Sequence, residues 1–211
     1  IFIIVIATFF GFLASYSQND NQSSSYKTGF LDNGLKFVVL ERKHLPVVSM
    51  GILIKSGVYQ EKKAGVAQLM SNTIIYGNRF MSPSDVTMEL DYLGANVGFS
   101  TDYDYSVLTA SMRANTAERV IKIVSRIIKY PVFDEKIVRT MKMRSLSALK
   151  AQKDEIFDEV RMQYYKLIYG DHPYSRNILG DEENIKSISR GDLFEYYNTN
   201  VVPNNAVLVF V

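Results

Sequence analysis

An α+β domain, with a largely antiparallel sheet and helices packed on one side, is predicted by three features of the sequence. Val48, Met50, Ile52 and Ile54 alternate with Ser49, Gly51, Leu53 and Lys55, the period-two pattern of a strand with one apolar face. Asp32-Asn33-Gly34 separates two short apolar-rich runs, and Asn-Gly supplies the positive φ of a tight hairpin turn. From Asp134 to Tyr169 neither glycine nor proline interrupts a helical spacing. Antiparallel hairpins with helices gathered elsewhere in the chain argue against a doubly wound parallel fold.

In chain order, the opening hairpin pairs Lys27 to Leu31 with Leu35 to Leu40. A charged loop ends at Pro46, and the alternating strand closes at Ser56-Gly57. Ala64 to Tyr76 is then a short helix. Ser82-Pro83-Ser84-Asp85 is a capping box with proline at the first helical position, and Val86, Leu90 and Leu93 keep the period until Gly94. Ala95 to Phe99 and Tyr105 to Met112 are strands. The next helix, capped by Asn115 with Glu118, carries Val120, Ile121, Val124, Ile127 and Ile128 and ends at Pro131. In the long helical stretch, Ile137, Met141, Ala148 and Ala151 are followed by Ile156, Val160, Tyr164 and Leu167, with a break expected at residues 152–155. A loop at residues 171–180 leads to a helix capped by Ser189-x-x-Asp192, and Ala206 to Val211 is a last strand.

Composition narrows the function classes. Of the 211 residues, 47% are hydrophobic and 22% charged, which is globular and not disordered. The net charge is only +2 and no basic block is interleaved with aromatics, so no nucleic-acid partner is expected. With no cysteine there is no disulfide scaffold, thiolate zinc site or cysteine nucleophile. The apolar run Ile1 to Ala14 is shorter than the roughly 20 residues of a membrane-spanning helix and reads as the core of an export signal. Residues 1–17 are therefore expected to be a signal peptide or membrane anchor, 18–25 a polar linker, and 26–211 a folded domain truncated at its C-terminal end. The protein is expected to be exported, periplasmic or otherwise extracytoplasmic.

The helix Ala64 to Tyr76 bears on chemistry. Gln68 and Asn72 are four apart and project from one face, with Ser71 beside them. This is the spacing of an H-x-x-E-H zinc helix, but a neutral carboxamide is a poor zinc ligand. By itself the helix reads as a core helix with polar residues. A serine peptidase would need a base near Ser71, and the two histidines, His44 and His172, lie in distant loops. No carboxylate pair stands out for acid–base hydrolysis.

Six stretches in order carry a family resemblance: L-D-N-G-L-K-F-V-V-L at 31–40, A-G-V-A-Q-L-M-S-N at 64–72, Y-L-G-A-N-V at 92–97, Y-P-V-F at 130–133, G-D-H-P-Y-S-R-N-I-L-G at 170–180 and P-N-N-A-V-L-V at 203–209. Together they resemble the N-terminal domain of the insulinase and pitrilysin family of zinc metallopeptidases, which includes the mitochondrial processing peptidases and their non-catalytic partner subunits. The resemblance implies that Gln68 and Asn72 stand at the two zinc histidines, Ser71 at the glutamate base and Ala148 at the third ligand, a glutamate. No carboxylate lies between Ser145 and Gln152. It also implies that Gly98, Phe99, Ser100 and Thr101 lie at the peptide-binding sheet edge, and that His172 serves packing and turn formation. Zinc is expected of the family, but its ligands are absent here, so no cofactor is expected. The reading that follows is a catalytically inactive homologue, the peptide-binding or scaffolding subunit of a heteromeric metallopeptidase. Its expected partners are an H-x-x-E-H subunit and an extended peptide. The alternatives are an active zinc endopeptidase with an atypical site and a stand-alone peptide-binding protein.

Overall fold

The computed structural model describes residues 26–42 and 44–211. The expected export segment and linker lie outside the described residues. Among the described residues, six strands, β1 (Tyr26–Phe30), β2 (Lys36–Leu40), β3 (Val47–Ile54), β4 (Asn96–Thr101), β5 (Ser106–Arg113) and β6 (Ala206–Phe210), form one open sheet in the order β1-β2-β6-β3-β5-β4. Every neighbouring pair is antiparallel except β2 with β6. That parallel pair arises because β6 returns after the last helix and inserts between β2 and β3. The α+β expectation holds, with this one pair as the refinement.

The sheet has one core face. Along β5, Ser106, Leu108, Ala110 and Met112 are buried while Thr109, Ser111 and Arg113 are exposed, a strict period of two. The α-helices of the described residues are, in order, α1 (Val66–Ile74), α2 (Pro83–Tyr92), α3 (Ala117–Lys129), α4 (Glu135–Asp154), α5 (Ile156–Tyr169), α6 (Glu182–Ser187) and α7 (Arg190–Asn200). Leu69 and Met70 of α1, Val124 and Ile127 of α3, and Leu193 and Tyr196 of α7 join β3 and β5 in a single core cluster.

Helix boundaries follow local chemistry. Ser82 and Asp85 form a reciprocal capping box, as do Ser189 and Asp192. The expected cap at Asn115 is corrected: a 3-10 turn, Ala114–Thr116, precedes α3, Thr116 stands at its N-cap without a side-chain cap bond, and the Thr116 hydroxyl turns to the carbonyls of Leu93 and Arg113. The long helical stretch breaks at Glu155, whose extended backbone (φ −92°, ψ 108°) separates α4 from α5. Helix α6 has only six residues, too few for an apolar period to mark it in the sequence; the Asp181 carboxylate starts it by accepting from Asn184 N at 2.8 Å.

The loop at residues 171–180 is seated on the N-terminus of α1 by two glycines. Gly65 (φ +89°) and Gly180 (φ +85°) meet so closely that a Cβ on either would fall within 2.7 Å of a carbonyl oxygen of the other segment.

Candidate functional site

Helix α1 packs against β4, α4 and α7. Two faces of it matter. Gln68 and Asn72 lie on the half-buried face, where the Gln68 Nε2 amide donates to Asn72 Oδ1 at 3.2 Å. Ser71 is fully buried on another face, turned toward β4. The three residues therefore do not converge.

The Ser71 hydroxyl enters a buried chain of hydroxyls. Ser71 Oγ is 2.5 Å from Thr101 Oγ1, which is 3.1 Å from Ser106 Oγ. Ser106 Oγ donates to the Ser56 carbonyl at 2.8 Å. Since Ser106 spends its only proton there, Thr101 must donate to Ser106, and Ser71 must donate to Thr101. The longer approach of Thr101 Oγ1 to Ala67 O, 3.4 Å, is the weaker alternative. At the far end, Tyr196 OH donates to Gly57 O at 2.9 Å and sits 3.1 Å from Ser56 Oγ, and burial pushes its phenol pKa up to about 12. The proton of Ser71 thus runs into the core, toward no base.

The buried side of α4 carries Met141, Ser145 and Leu149; Ala148 lies on the exposed side. Zinc takes imidazole, thiolate or carboxylate donors, and these carboxamides and hydroxyls do not fit it. Among the described residues no cluster of three His, Cys, Asp or Glu side chains could hold a metal ion.

Among the described residues β4 is an edge strand, with β5 its only strand neighbour. Phe99 and Thr101 point into the core and are buried, while Gly98 is half-buried and Ser100 is exposed on the other face. Asp102 N donates to Tyr105 O at 2.8 Å across the hairpin turn, and the register runs on unbroken to Asn96↔Ser111. The antiparallel alternation then points the N–H and C=O groups of Val97, Phe99 and Thr101 away from β5, on the open side.

His172 is exposed and its Nδ1 accepts from Tyr174 N at 3.2 Å, inside a cluster of rings from Tyr59, Tyr169 and Tyr174. His44 is exposed in its loop. Neither reaches Ser71.

A residue that the sequence did not single out is Glu61, which is only 4% exposed. Its carboxylate accepts from Gly65 N (3.0 Å) and Ala67 N (3.3 Å) at the start of α1. Burial raises its pKa to about 7, against the opposing pull of those two amides and of Arg176. In sequence it heads a Glu-Lys-Lys run and reads as solvated loop charge. Only the helix start folding over it removes the water. The folded state holds this proton more tightly than the unfolded chain, so its contribution is full below about pH 4.5 and is lost as pH rises to about 7. The expected loss is about 3 kcal/mol of stability between pH 4.5 and 8 from this group. Urea unfolding across that range checks it: Glu61→Gln should flatten the decline, and an identical decline in the variant would refute the assignment.

Residues 37–182 match the family model for insulinase, peptidase family M16. The chain is 26% identical over 192 residues to the mitochondrial-processing peptidase subunit beta of Saccharomyces cerevisiae, covering 89% of this chain and 41% of the relative. It is 27% identical over 171 residues to the Rattus norvegicus subunit, covering 80% and 35%. Thus the chain spans about two-fifths of the length of the curated relatives it matches. Among solved structures, a peptidase M16 inactive domain from Pseudomonas fluorescens superposes with a TM-score of 0.85 at 22% identity, covering 89% of this chain and 46% of the other. The periplasmic protease PqqL from Escherichia coli gives 0.81 at 19% identity, covering 90% and 22%. The six-stranded sheet with its open β4 edge, the helix α1 beside it and a family match over most of the described residues converge on one assignment: the chain belongs to the insulinase family of peptidases, M16.

Proposed function

We propose that this chain is a non-catalytic subunit that helps an active H-x-x-E-H relative hold an extended peptide. The observation that carries the proposal is the contrast between α1 and β4. On α1, the two carboxamides bond each other and the Ser71 proton is committed to the core, so neither metal nor nucleophile chemistry has its groups. On β4, backbone groups face an open edge, and backbone pairing with a peptide does not depend on side-chain identity. The similar Pseudomonas fluorescens structure is described as an inactive domain, and the mitochondrial relatives are subunits by name, which supports the reading.

The test is to purify the chain with and without an active relative encoded alongside it, and to measure zinc content and cleavage of an unstructured peptide. Expected are substoichiometric zinc, no hydrolysis by the chain alone, a stable complex, and activity in the mixture that disappears when the relative's zinc ligands are replaced. Zinc-dependent cleavage by this chain alone would overturn the proposal.

The proposed location is outside the cytoplasmic membrane, supported by the apolar Ile1 to Ala14 run and by the likeness to a periplasmic protease. Mass spectrometry of the natural protein should find a mature form lacking about the first 17 residues. A cytoplasmic chain retaining Phe2 to Ala14 is the contrary result.

A further inference from the structure

Helix α5 has no buried residue, and its principal contacts are with α4 and the turn Pro173–Ser175. Its inner side is held by rings: Tyr165 against Tyr103, and Tyr169 against Tyr174. The opposite side carries Ile156, Phe157, Val160, Tyr164, Leu167 and Ile168, all exposed, with Phe157 at 89% and Leu167 at 84%. Spacings of three and four residues align these side chains in one stripe, the pattern of a helix–helix seam. Six such side chains expose on the order of 800 Å², the share that one partner brings to a stable interface and above the usual largest apolar patch of a monomer.

We propose that this stripe pairs with the same helix of a second copy of the chain, antiparallel about a two-fold axis level with Met162. The sequence of the stripe is symmetric about that point. Ile156 meets Ile168 of the other copy, Phe157 meets Leu167, and Val160 meets Tyr164, so every large side chain has an apolar counterpart at equal distance from the axis. Charge agrees with the same direction. The first turn of α5 carries Asp158 and Glu159 and its last turn Lys166, so antiparallel pairing sets the acidic end of each helix beside the basic end of the other and opposes the two macrodipoles. Parallel pairing would place like charges and like dipole ends together. The interface is isologous, using one surface twice. It is separate from the β4 edge and does not depend on the function proposed above.

Sedimentation velocity of the chain and its variants tests this, with the N-terminal segment constant throughout. The parent chain should be dimeric, and Leu167→Asp should be monomeric with unchanged helical circular dichroism and melting, because the side chain it replaces is exposed. The cysteine-free sequence permits a second measurement. A mixture of Val160→Cys and Tyr164→Cys chains should form a disulfide-linked heterodimer on mild oxidation, while Lys122→Cys, on the exposed surface of α3, should not. The proposal is overturned if the parent is monomeric at about 100 μM, where an interface of this size would be filled. It is equally overturned if Leu167→Asp leaves the dimer intact, or if each cysteine variant links to itself in preference to the other.

Discussion

Placing a carboxylate at position 71, where the family resemblance implies a glutamate base, is expected to damage the fold. Ser71→Glu should cost about 4 kcal/mol, because the site has no exposed surface and the hydroxyl it replaces closes a chain of donors. Two effects add: the longer side chain overpacks the contact between α1 and β4, and an acid without a cationic partner is forced into the core. The Thr101 hydroxyl is already committed to Ser106 Oγ and the Ser106 hydroxyl to the Ser56 carbonyl, so neither is free to solvate it. By contrast, Ser71→Ala removes one donated hydrogen bond and should cost about 1 kcal/mol. Thermal unfolding separates the two, since about 4 kcal/mol corresponds to roughly 10 °C or more in a domain of this size. A Ser71→Glu protein that melts with the parent would mean that position 71 retains solvent access and that the reading of α1 is wrong.

The strands and most helix ends are legible in the sequence because each rests on local chemistry: alternation in β3, Asn33-Gly34 between β1 and β2, and reciprocal caps at Ser82 and Ser189. Strand order is not legible. Nothing in the apolar period of Ala206 to Phe210 says that β6 will insert between β2 and β3, because register and neighbours are settled by tertiary packing. The same limit applies at the site. The spacing of Gln68 and Asn72 predicts a shared face, and they do bond each other, but the burial of Ser71 depends on Thr101, thirty residues away in sequence. Ala148 shows how one residue of helical phase decides orientation: Ser145 and Leu149 point inward, and Ala148 does not. Periodicity alone also cannot tell a core stripe from a docking stripe, and so Ile156, Val160, Tyr164 and Leu167 look in sequence like the buried side of α5.

Peptide binding at β4 should be lost on introducing a single proline, and should tolerate change in side chains. Val97→Pro removes an N–H that points away from β5, so no bond within the sheet is broken and the proline sits on an edge strand, where it is tolerated. The ring then occupies the space where a peptide backbone would approach and withdraws one of its donors. A loss of at least about tenfold in affinity for an extended peptide is expected, equivalent to about 1.4 kcal/mol. Gly98→Ala and Ser100→Ala are the matched controls. A Cβ at Gly98 would meet only Thr109 Oγ1 at 3.6 Å, an ordinary contact, and Ser100 is exposed, so both variants should fold and bind as the parent does. Fluorescence anisotropy of a labelled unstructured peptide, with circular dichroism to verify the fold, makes the comparison. If Val97→Pro binds normally while Ser100→Ala does not, recognition rests on side chains and not on the open backbone edge. Loss in the proline variant alone is what strand addition requires.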